Sequence, residues 1–143
     1  MFDIIIGLFG LFFGVVLDRV APEEVSQYAS IVLFLRRVFL GFFVILFLWS
    51  DFSVTLFLFG LLAGFFARFD YVYLSVGIVL LDRFLFAVLL LFYGFVFGIQ
   101  FSHAKIYLFL SCVLFFVSAV FISVIPFTLL SFAAGALFIQ IFK

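Results

Sequence analysis

The chain reads as an all-α, polytopic membrane bundle with about six membrane segments plus one short re-entrant or interfacial segment, and three observations predict it. Of its 143 residues, 71% are hydrophobic and 10% charged, whereas ordinary globular chains are roughly half apolar and about a quarter charged. Seven acids and seven bases cannot cover a water-facing surface. Stretches such as VFLGFFVILFLW (38–49) and VLFFVSAVFISVI (113–125) are apolar on every side. A transmembrane β-barrel would instead alternate polar and apolar residues over strands of about ten, so helices are left to satisfy the backbone in lipid. At about 20 apolar residues per crossing, a single domain over 1–143 has room for about six or seven passes.

The first span is expected over 4–17, closed by Asp18 and Arg19. An acid at position 3 is the reverse of a cleavable leader's basic start, so this span is read as retained. In VAPEEVSQYAS, Pro22 suits a first helical turn, and Glu23 and Glu24 suit its positive end. Val25, Tyr28, Ala29 and Val32 recur at helical spacing and give a juxtamembrane helix one apolar face. That helix runs into a second span, 31–50, from which Arg36 and Arg37 are expected to snorkel to the head groups. Trp49 stands where an interfacial aromatic belongs. Asp51 marks a tight turn, and 52–67 returns as the third span.

In RFDYVYLSVGIVLLDR, the uncharged core 71–81 reaches only about 17 Å as a helix, against a hydrocarbon core of roughly 30 Å. It is therefore expected to be a re-entrant or interfacial segment rather than a full span, with Ser75 and Gly77 easing a bend, so that the chain stays on the same side. Spans four and five follow at 84–100 and 106–125. Pro126 breaks the helix, and 127–142 is the sixth span. With this threading Arg19, Arg36, Arg37, Arg68 and Arg83 share one side, while Lys105 and Lys143 fall on the other. That asymmetry places the N-terminus outside.

FGLFFGVVLDR (9–19) is echoed by FGLLAGFFARFD (59–70) and, more loosely, by YGFVFGIQFSH (93–103). Gly10 with Gly14, Gly60 with Gly64 and Gly94 with Gly98 each form a flat patch, which Gly7 extends in the first copy. Lipid gives helices little hydrophobic reason to associate, so small residues that admit close backbone contact become valuable. These glycines are read as helix-packing positions. Over the eleven residues carrying Gly10, Gly14 and Asp18, the pattern resembles helix ends in rod-shape-determining membrane subunits and in substrate-binding subunits of energy-coupling-factor transporters. So generic an arrangement assigns no family.

The candidate polar or lipid-phosphate contacts are Arg36, Arg37, Arg68, Asp70, Asp82 and Arg83. Arg68 and Asp70 can pair with each other or meet phosphate, and Asp82 with Arg83 can open the fourth helix at the interface. Asp51 is the candidate ion-handling carboxylate, although a turn role suits its position. His103 alone gives no metal or haem site. Cys112 alone excludes an intrachain disulfide and paired-thiol chemistry. Ser111, Ser118 and Ser123, with Tyr107 and Cys112, give the fifth span modest polarity suited to interhelical hydrogen bonds. No glycine-rich phosphate loop, Ser–His–Asp set or paired intramembrane carboxylates can be found, so no enzyme, cofactor or metal is expected. Zero net charge argues against nucleic acid.

The expected function is a non-catalytic structural or accessory subunit of a larger integral membrane complex. Its partners would be membrane lipids and other membrane subunits, as a hetero-oligomer rather than a homo-oligomer. The alternative is a small oligomeric transporter or channel, or the substrate-binding subunit of one, using charged residues at the membrane boundary. Phe occurs 29 times, Lys twice and Asn never, which suggests a thymine-rich coding strand. A prokaryotic plasma membrane or an organellar inner membrane is the expected location.

Overall fold

The computed structural model describes residues 2–50, 52–66, 70–80, 83–122 and 129–143. Among these the fold is all-α, with no strand. Its helices are α1 (Phe2–Val20), α2 (Pro22–Gln27), α3 (Ala29–Ser50), α4 (Val54–Phe66), α5 (Asp70–Leu80), α6 (Arg83–Phe101), α7 (Lys105–Ile122) and α8 (Leu129–Ile141). Among the described residues one helix, α3, is long and apolar enough to cross a membrane; shorter apolar helices occupy Val54–Phe66, Leu85–Phe101, Ile106–Val117 and Leu129–Ile141. Pro22 opens α2 with Glu23 and Glu24 in its first turn, and only Tyr28 separates α2 from α3. Pro126, Ser123 and Asp51 lie outside the described residues.

Two glycine-sutured helix pairs organise the bundle. A Cβ on Gly10 would overlap the carbonyl oxygen of Leu91, and one on Gly14 would overlap that of Phe95. On the facing helix, a Cβ on Gly98 would overlap the carbonyl oxygen of Leu11. Contacts advance by four residues on both helices together, so α1 and α6 are parallel. The same step joins α4 to α8, where Gly60 faces the Phe132 carbonyl, Gly64 that of Ala136, and Gly135 that of Phe57. Gly94 is buried on α6, and Gly7 lies within α1, its surroundings outside the described residues. At these glycines the backbone of one helix touches the backbone of the other.

The remaining helices fill the space around the pairs. Arg36 meets Phe101, Phe43 meets Tyr93 and Phe86, and Phe47 meets Phe86, so α3 runs antiparallel to α6. Tyr71 of α5 packs on Tyr93, Phe97 and Phe115 with ring centroids 5.7, 4.9 and 5.4 Å apart. These rings are fully buried together with Phe43, Phe47, Leu74 and Leu90. Edge-to-face pairing contributes beyond their area burial. The outside is also apolar: Phe9, Phe12, Phe13, Phe34, Phe65, Phe66 and Trp49 are among the exposed large side chains.

This arrangement corrects the expected threading from residue 71 onwards. α5 does not turn back. It starts level with Tyr93, where Asp70 meets that phenol, and the chain reverses only at the far end, where α6 begins. A short helix need not match lipid thickness when protein surrounds it, and Tyr71, Tyr73, Leu74, Ser75 and Val76 are all buried. The length criterion therefore does not apply to 71–81. Consequently α6, α7 and α8 run opposite to expectation. Arg83 starts α6 at the end where α1 begins, away from Arg19 and Arg36. The Lys143 ammonium bonds to the Gly64 and Phe65 carbonyls at the end of α4, which puts it at the same end as Arg36 rather than opposite. α7 starts with Lys105 at that end too, because the preceding Ser102 and His103 meet Asp18.

Candidate functional site: a polar end on an apolar bundle

With the threading corrected, the ends of α1, α4, α6 and α8 converge with the starts of α3, α5 and α7 on one polar end. Its centre is an ion pair inside the bundle. One terminal guanidinium nitrogen of Arg36 lies 2.8 Å from Asp70 Oδ2, and the two residues are 7% and 1% exposed. The Tyr93 hydroxyl donates to the same Oδ2 at 2.5 Å. Asp70 belongs to the first turn of α5, where the helix dipole favours a carboxylate. Phe101 lies beneath the guanidinium, 5.4 Å from its carbon, adding a cation–π contact. Arg36 therefore does not snorkel outward as expected. It is held inward by a carboxylate, a phenol and an aromatic face, while its neighbour Arg37 is exposed.

Beside this cluster lies a cavity of about 330 Å³ lined by Arg36, Gln100, Phe101, Tyr107, Gln140 and Lys143. The Gln140 amide donates to the Gly64 carbonyl at 3.0 Å, and Lys143 Nζ reaches the Gly64 and Phe65 carbonyls at 3.0 and 2.8 Å. These two side chains bond to carbonyls of the last described turn of α4. Five buried side-chain polar atoms have no partner among the described residues, and three of them belong to this cluster and its cavity wall: Arg36 Nε, Asp70 Oδ1 and Gln100 Oε1, the others being the Tyr71 hydroxyl and Ser111 Oγ. Since buried polar groups are almost always bonded, this is where the bundle is polar beyond its own needs.

A second polar group ties the α6–α7 turn to α1. Ser102 donates to Asp18 Oδ2, and His103 Nε2 approaches the same oxygen at 3.4 Å while its ring stays exposed. Asp18 is 6% exposed, so it is a buried anchor rather than a charge displayed at a helix end. A cavity of about 400 Å³ lined by Asp18, Arg19, Pro22, Ser102 and His103 adjoins it. Among the described residues no three His, Cys, Asp or Glu side chains come together to hold a metal ion.

No protein-family model, curated protein or solved structure matches this chain. The polar end is thus interpreted from its own chemistry. Of the residues singled out in the sequence, it brings together Arg36 and Asp70, with Tyr107 on the cavity wall. Arg68, Asp82 and Asp51 lie outside the described residues, and so does the Arg83 side chain. Tyr93, Ser102, Gln100 and Gln140 went unnoticed in the sequence. The glutamines could have been found, because Gln100 and Gln140 each interrupt an apolar run near its end. Tyr93 could not, because nothing nearby in sequence announces its partner.

Proposed function

We propose that the chain is a multi-pass integral membrane protein that binds a small polar solute in the cavity at its polar end, as a small transporter or as the solute-binding subunit of one. The observation that carries this reading is the buried Arg36–Asp70–Tyr93 cluster beside a cavity with unsatisfied polar atoms. An ion pair within an apolar bundle contributes little stability over a well-packed hydrophobic pair, and charges at such depth are typically functional. Membrane insertion is supported by the aromatic exterior and by α3, whose 22 residues extend about 33 Å. Basic residues with described positions gather at the polar end, Arg83 excepted, which supports reading that end as cytoplasmic and the N-terminus as outside.

The accessory-subunit reading is the second choice. It drew on glycine faces meeting sister subunits, but Gly10, Gly14, Gly60, Gly64 and Gly98 are occupied by this chain's own helices. What favours it is the exposed apolar surface of α1, including Phe9, Phe12 and Phe13, which a neighbouring subunit could cover. Reconstituted liposomes separate the two. The expected result is flux of at least one small ion or acid from a test panel, above that of empty liposomes and lost in Asp70→Asn. Wild-type protein that matches empty liposomes, and that binds nothing from the panel in detergent, would return the accessory-subunit reading.

A further inference from the structure

The chemistry of the cavity wall narrows the class of solute, on the reading that the cavity holds one. Two cationic side chains, Arg36 and Lys143, and two amides, Gln100 and Gln140, line it with Phe101 and Tyr107, and no carboxylate side chain is among the described lining residues. Asp70 stands behind Arg36 and is bonded to it and to Tyr93. On the residues that line the cavity, the unpartnered atoms are of two kinds. Arg36 Nε is a donor on a charged group, 7% exposed overall, and Gln100 Oε1 is an acceptor. A guanidinium N–H calls for an anionic oxygen, with which it forms the stronger, charge-assisted hydrogen bond. An amide oxygen calls for a hydroxyl. Halide satisfies only the first, and a neutral sugar or polyol supplies no charge.

We infer that the cavity binds a small oxyanion that carries its own hydroxyl, of the hydrogen-phosphate or hydroxycarboxylate type, with its charged oxygen on Arg36 Nε and its hydroxyl on Gln100 Oε1. Such a group could arrive as a free anion or as a phosphate-monoester lipid headgroup. The cavity volume of about 330 Å³ is ample for a group of a few heavy atoms, given that one water molecule occupies about 30 Å³ of the liquid.

Calorimetric titration of the full-length protein in detergent, at matched ionic strength, tests this with paired probes that differ in the hydroxyl: inorganic phosphate against sulfate, and lactate against acetate. The hydroxylated member of each pair is expected to bind more tightly by about fivefold, the worth of one net hydrogen bond. Gln100→Leu should remove that preference while leaving anion binding in place. Arg36→Leu could misfold by stranding Asp70, so Arg36→Gln with Asp70→Asn, which retains shape and removes both charges, is the second variant; it should abolish binding of all four anions. Arg37→Gln, at an exposed neighbour, should change nothing. In nanodiscs, competition by phosphatidic acid but not by phosphatidylcholine would place a lipid headgroup in the site, and absence of competition would assign a free anion; either supports the assignment.

Equal affinity for phosphate and sulfate and for lactate and acetate would overturn the inference, as would anion binding unchanged in the double variant. If a neutral polyol or a cation binds and the anions do not, the oxyanion assignment fails while the solute-binding reading stands. If nothing on the panel binds, both fail.

Discussion

Arg36 and Asp70 illustrate how one buried contact can dominate the energetics of a residue. Arg36→Leu leaves the Asp70 carboxylate in the bundle without its cation, and breaking such a pair should cost about 3–5 kcal/mol. Removing both charges, as Arg36→Leu with Asp70→Leu, should restore most of that loss, because a hydrophobic replacement needs no desolvation. Tyr93→Phe removes the phenol's bond to Asp70 Oδ2 and should cost about 1.5–3 kcal/mol, the range for hydrogen bonds to charged groups. Unfolding of each purified variant in mixed detergent micelles measures all three. A double variant as unstable as Arg36→Leu alone would show that the cavity wall needs these particular side chains for packing. The individual charges were visible in the sequence, but their partnership was not. Arg36 and Asp70 are separated by a hairpin of two helices, and a snorkelling arginine has the same local sequence as one drawn inward.

At the scale of the helix, the glycines separate into those that meet backbone and those that do not. A Cβ at Gly14 or Gly64 would be driven into the Phe95 or Ala136 carbonyl, and backbone cannot swing aside as a flexible side chain can. Gly14→Ala and Gly64→Ala should each cost about 1–3 kcal/mol, as overpacking does. Gly41 faces open space on α3, so Gly41→Ala should gain about 0.5–1 kcal/mol from the better helix propensity of alanine. The same unfolding assay reads this contrast, and destabilisation at Gly41 equal to that at Gly14 would argue that α3 is packed against something outside the chain. The glycine spacing did announce close helix contact, and the echo between 9–19 and 59–70 has a structural counterpart: α1 and α4 each lead a parallel, glycine-sutured pair. What the spacing could not convey was the partner. A flat patch is equally suited to a sister subunit or to the same chain's sixth or eighth helix, and only the threading decides between them.

Threading is a property of the whole molecule, and it hinged on 71–81. Segment length argued for a turn back, because an 11-residue helix is too short for lipid; sheathing by α6, α7 and α8 removes that constraint, and each helix after it reverses. The corrected path also improves the electrostatics. Arg19, Arg36, Arg37 and Lys143 now share one end with the start of α7 and Arg83 lies at the other, while the expected threading had split the two lysines from the arginines; on the membrane reading this is the bias that the positive-inside rule describes. Single cysteines introduced into a Cys112→Ser background, at Ser26, Ala104, Ser50 and Arg83, would trace this path with a membrane-impermeant maleimide on sealed vesicles. Labels at 26 and 104 should react from one side, and labels at 50 and 83 from the other. The decisive positions are 83 and 104, since the two threadings agree on 26 and 50. Reaction of 83 from the same face as 26 would mean that α5 turns back after all. It would also separate α1 from a parallel α6, and with that separation the Gly10–Leu91 and Gly14–Phe95 contacts and the convergence of α6 and α8 on Arg36 would be lost together.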